Sequence, residues 1–105
     1  MRINTNDAMK HLQKMQSQME KIQDELVAET VEGNAGGGMV RAIFNGQGEI
    51  ISIHFEKEVV SPDDVEMLED LVSAAVGDGL RKAKELASNR MGHLTGGLGG
   101  LGGLI

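Results

Sequence analysis

The sequence predicts an α+β domain in which two amphipathic helices flank a β-hairpin, and three observations carry that reading. Met9, Leu12, Met15, Met19, Ile22 and Leu26 recur every three or four residues, the spacing of one helical face over residues 7 to 26. Val40, Ala42 and Phe44 alternate with Met39, Arg41 and Ile43. After NGQG, Ile51, Ile53 and Phe55 alternate with Ser52 and His54, the period of a strand. SPDDVEMLEDLVSAAV then opens a second helix, whose apolar face runs through Val65, Leu68, Leu71, Val72, Ala75, Val76, Ala83 and Leu86.

Taken in order, the first helix is capped by Asn6 or Thr5, with Asp7 favourable in its first turn. Its methionine stripe reads as packing surface for the second helix and a partner subunit. A first strand, ahead of the hairpin, is expected through residues 26 to 32. In NGQG, Asn-Gly suits the positive φ angles of a primed hairpin turn. GNAGGG at 33 to 38 is glycine-rich but leads into a strand, whereas a phosphate-cradling loop leads into a helix, so it reads as a flexible connection. Ser61 as N-cap, Pro62 at the first helical position, and Asp63 and Asp64 at the positive end of the dipole start the second helix. Gly77 and Gly79 each weaken it by about 1 kcal/mol relative to alanine, which implies a bend or the close approach of another backbone. Gly92 is the expected stop. Residues 1–92 therefore form one domain, and HLTGGLGGLGGLI, residues 93–105, is expected to be a flexible tail.

Composition narrows the function. A chain of 105 residues with 2% aromatic content can build only a thin core, which favours a homodimer. The absence of cysteine removes disulfides and thiolate metal sites and suits a cytoplasmic protein. No run is long and apolar enough to span a membrane, and MRINTND lacks the apolar segment of a signal peptide. His11, His54 and His93 fall on a helix, a strand and the tail, so no metal site is expected. No nucleophile, base and orienting group can be assembled, so no enzymatic activity and no cofactor are expected.

The net charge of −6 disfavours indiscriminate binding to polyanions, yet the charges are unevenly placed. At 100° per residue, Lys10, Lys14 and Lys21 fall within about 40° of one another, opposite the methionine stripe. Helix 2 begins with Asp63, Asp64, Glu66, Glu69 and Asp70 and ends with Arg81, Lys82, Lys84 and Arg90. Complementarity to the helix dipole accounts for that gradient equally well, but the N-terminal half of helix 1 is basic where the dipole prefers acids. Antiparallel helices would bring both basic parts together at the end far from the sheet.

Four stretches, MKHLQKMQSQMEKIQDEL, GGGMVRAIFNGQGEI, DDVEMLEDLVSAAVGDGLRKAKEL and MGHLTGGLGG, together cover nearly the whole chain. In them the chain resembles the YbaB/EbfC family of nucleoid-associated proteins. It differs at Phe55, Glu56 and Lys57, where relatives often carry isoleucine-aspartate-proline. The resemblance implies a helix, a three-stranded antiparallel sheet and a second helix, assembled as a tweezer-like homodimer that binds double-stranded DNA in the cytoplasmic nucleoid. No catalytic residues are implied. Lys10, Lys14, Lys21, Arg81, Lys82, Lys84 and Arg90 are the expected phosphate contacts, with Gln13 and Gln16 near the tip. The competing expectation is a protein-interaction adaptor that uses exposed methionines or the apolar tail, with incidental DNA contact.

Overall fold

The computed structural model describes residues 5–96. Helix α1 (Thr5–Ala28) leads into strands β1 (Thr30–Ala35), β2 (Val40–Asn45) and β3 (Ile50–Phe55). A single 3-10 turn over Lys57–Val59 then passes the chain to helix α2 (Val65–Gly96). The strands form an antiparallel meander in the order β1-β2-β3, with Gly33 opposite Ala42 and Ala42 opposite Ile53.

Strand alternation sorts the two faces. Val40, Ala42 and Phe44 are buried and share the inner face with Gly33 on β1 and Ile53 on β3. The outer face carries polar groups around Ile43: Arg41 lies 3.6 Å from Glu32, and Ser52 and His54 share a hydrogen bond of 3.0 Å. Helix α2 lies over the inner face of β1 and β2, where Ala75 and Ala83 complete the core with Val59. It does not extend over β3, whose Ile51 and Phe55 remain 56% and 45% exposed.

Two glycines make the close crossing of α2 and β1 possible. A methyl group on Gly33 would overlap the Ala75 carbonyl oxygen and the Gly79 backbone, and one on Gly79 would overlap the Phe44 ring. Gly79 thus realises the expected close backbone approach, whereas Gly77 faces open space. The GGG stretch is a defined turn: Gly36, Gly37 and Gly38 all have positive φ, a conformation that side chains disfavour.

Several element ends depart from the sequence expectation. β1 begins at Thr30, beyond most of residues 26 to 32, because α1 continues through Ala28. The α1 C-terminus is held by the β2–β3 turn, where the Gly46 N–H donates to the Leu26 carbonyl at 2.8 Å. That turn takes its positive φ at Gly48, while Gly46 is needed for its approach to Leu26. The Asn45 side-chain oxygen accepts from the N–H groups of Gln47 and Glu49, which fixes a turn longer than a two-residue primed one. The cap of α2 is Asp64, which accepts from the Met67 N–H at 3.1 Å, and Ser61 instead closes the preceding turn. Finally, α2 runs through Gly92 to Gly96, four residues into the expected tail; residues 97–105 lie outside the described residues.

Candidate nucleic-acid interface

Both helices outrun the sheet at the β2–β3 turn. They run antiparallel there: Arg90 of α2 meets Glu25 and Glu29 at the end of α1, and Ile22 faces Leu94 across a cleft. The helical rise then brings Gly96 level with about residue 19, so Lys10 and Lys14 stand beyond the last described turn of α2. The molecule measures 73 × 26 × 16 Å, the shape of a short base with a long arm.

Along α1, Lys10, Lys14 and Lys21 are exposed and have no ion-pair partner among the described residues. Lys21 borders the cleft between the helices. Lys84 is also exposed and without such a partner, and it lies at the root of the arm beside Gln47 and Gly48 of the β2–β3 turn. These four lysines are fixed by the backbone at one end and extend freely at the other. The acidic start of α2 lies at the opposite end of the molecule, where Leu71 packs against Gly36 of the β1–β2 turn.

The remaining three cations are engaged within the chain. Arg81 and Lys82 lie over the sheet and not on the arm, because Gly79 fixes that turn of α2 against Phe44. Arg81 pairs with Asp78 at 2.7 Å and with Glu85 at 3.0 Å. Lys82 pairs with Asp78 at 3.0 Å and donates to the Glu32 carbonyl at 2.9 Å. Asp78 also accepts from the Asn34 N–H at 3.0 Å, so its carboxylate joins α2 to β1. That backbone donor, followed by Lys82 and Arg81, holds the Asp78 carboxyl well below the usual carboxylate range. Its hydrogen bond in turn raises the Arg81 guanidinium above its ordinary value, aided by Glu85. Arg90 is held by Glu25 and Glu29. The structural roles of Asp78, Glu25 and Glu29 escaped the sequence reading; the Asp78-to-Arg81 and Arg81-to-Glu85 spacings were the available signal.

The described part of the molecule thus combines a projecting helix that carries exposed lysines with a base that is mostly acidic. Among the described residues, no group of three or more histidine, aspartate or glutamate side chains could hold a metal ion. No helix among them is long and apolar enough to cross a membrane.

Comparison with known proteins specifies the family. Residues 1–98 match the model of the YbaB/EbfC DNA-binding family, and the chain belongs to that family. A nucleoid-associated protein of Ruminiclostridium cellulolyticum is 52% identical over 102 residues, covering 97% of this chain and 89% of that one. One from Chloroflexus aurantiacus is 52% identical over 99 residues, covering 94% and 99%. The crystal structure of the uncharacterized protein HP0035 from Helicobacter pylori superposes with a TM-score of 0.80 at 20% identity. That match covers 90% of this chain and 99% of that one, and shows a shared fold.

Proposed function

We propose that this protein binds double-stranded DNA as a homodimer in the cytoplasmic nucleoid, neutralising phosphates with Lys10, Lys14, Lys21 and Lys84, and so takes part in chromosome organisation or gene regulation. The observation that carries this reading is the set of lysines on α1, without ion-pair partners among the described residues and displayed on a helix that projects from the acidic base. Arg81, Lys82 and Arg90 already hold intramolecular carboxylates, so engaging a phosphate would require them to give up those partners. The homodimer is supported by apolar surface that the single chain leaves bare: Met9, Leu12, Met15 and Met19 on α1, and Ile51 and Phe55 on β3.

The test is a gel shift at several salt concentrations. Phosphate binding weakens linearly in log–log form, with a slope of about −0.9 per neutralised phosphate. Replacing Lys10, Lys14 and Lys21 by glutamine should weaken binding sharply and flatten that slope by about 2.7 per protomer. Replacing Arg41 and Lys57, which lie on the base, should do much less. Equal losses from the two sets would reject the arm as the DNA-binding surface.

A further inference from the structure

Arg90 sits where three elements meet. Its guanidinium holds the Glu29 carboxylate at the joint between α1 and β1, and lies 3.6 Å from Glu25 one turn earlier in α1. The Glu29 backbone is itself anchored: its N–H donates to the Glu25 carbonyl, and its own carbonyl accepts from the Gly46 N–H, both at 3.0 Å. The Gln47 side-chain amide adds a bond of 2.9 Å to Gln23. The β2–β3 turn therefore pins the root of α1, and the charged link from that root to α2 passes through Arg90.

Within a single chain, little braces α1 beyond this joint. A cleft of about 420 Å³ separates the helices next to Arg90 and is lined by Lys21, Ile22, Asn89, His93 and Leu94. Thr5 lies about 30 Å from Glu25 along the helix axis at 1.5 Å per residue. A swing of about 20° at the joint therefore displaces the tip by about 10 Å, more than the spacing of neighbouring phosphates on one DNA strand.

We propose that Arg90 is a positioning residue that clamps the angle between α1 and α2, and so sets where the α1 lysines meet DNA, and that it is not itself a phosphate contact. The functional half of this proposal rests on the DNA-binding reading above. The state of Glu29 supports it independently. One of its carboxylate oxygens is buried with no hydrogen-bond partner, so the anion depends on Arg90 for compensation. An Arg90 that turned to a phosphate would leave that charge uncompensated.

Two measurements test the clamp. The chain has no cysteine, so His11→Cys and Ser88→Cys introduce a unique pair of spin-label sites, one far out on α1 and one on α2. Labelled chain is refolded with an excess of unlabelled chain, so that each measured pair lies within one protomer. Arg90→Gln should broaden and shift the label distance, and Glu25→Gln/Glu29→Gln should do the same; Glu25→Gln alone serves if the double variant fails to fold. DNA affinity should fall in both variants with the salt slope unchanged. If the competent angle drops to about a fifth of the population, the loss is about fivefold.

The carboxylate variants oppose the two roles in sign. Neutralising Glu25 and Glu29 frees Arg90 and removes negative charge, so a phosphate-contacting Arg90 requires tighter DNA binding, whereas a clamp requires weaker binding. Tighter binding would overturn the proposal. So would an Arg90→Gln variant whose label distance is unchanged while its salt slope falls by about 0.9. Absence of salt-dependent DNA binding by the unaltered protein would reject the DNA-binding reading, and the label distances would still decide whether Arg90 holds the arm.

Discussion

Gly33 and Gly79 meet where α2 crosses β1, and neither leaves room for a methyl group. Gly33→Ala should destabilise the fold by about 1–3 kcal/mol, because the obstructing atoms are backbone and cannot rotate aside. Gly77→Ala faces open space and should stabilise the helix by up to about 1 kcal/mol. Denaturant unfolding of the two variants checks both signs. Sequence alone cannot separate Gly77 from Gly79, since they stand two apart in one helix and only the approach of Phe44 and Gly33 to Gly79 distinguishes them. Asp78 was hidden for a similar reason: its backbone partner, the Asn34 N–H, lies 44 residues away. Because its folded carboxyl titrates below the ordinary value near 3.8, the unfolded chain takes up the proton first as pH falls. The contribution from Asp78 is complete above that ordinary value and is lost progressively below it. Asp78→Asn should therefore lower stability near neutral pH and reduce the acid-side decline, as read from unfolding midpoints across the acid range.

At the level of elements, periodicity located both helices and the β2–β3 hairpin, because spacings of three to four and of two report which face is buried whatever the partner. Ends were less legible, since each is decided by hydrogen bonds to groups distant in sequence or by competition among adjacent caps. Ser61, Asp63 and Asp64 are all good N-cap residue types, and the structure selects Asp64 by its bond to the Met67 N–H. Asp64→Ala should cost about 1 kcal/mol. Ser61→Ala should cost less, because its hydroxyl accepts only from the Asp63 N–H at 3.3 Å. Thermal melts of the two variants decide the assignment. The end of α1 was illegible for a different reason: its Leu26 carbonyl is satisfied by Gly46, on a turn that sequence reading places with the strands.

For the whole molecule, the order of charges predicts that the basic parts of both helices meet far from the sheet, and the structure departs from this: Lys10 and Lys14 stand on the arm, whereas Arg81 and Lys82 lie over the sheet. The pairing of each cation was not visible, because ion-pair choice follows tertiary packing. Arg81, Lys82 and Arg90 look equivalent to Lys84 in the sequence, yet of these four only Lys84 is without an ion-pair partner among the described residues. Subunit association should cover the bare apolar surface of β3 and α1. Light scattering should give twice the 11.2 kDa chain mass, and the melting temperature should rise with protein concentration. Ile51→Glu with Phe55→Glu places charge on the exposed surface of β3 and should shift the protein towards monomer. Retention of full dimer mass by that variant would exclude β3 from the interface.

The covering of β1 and β2 by the last helix also orders events during synthesis. Val40, Ala42 and Phe44 leave the ribosome with their apolar side bare, and the residues that close over them, Ala75 and Ala83, follow about forty residues later. At roughly 5–20 residues per second, that interval lasts about 2–8 s, far longer than the microseconds in which a hairpin forms. The nascent meander thus waits, already paired and still uncovered, for a helix that the ribosome has yet to make.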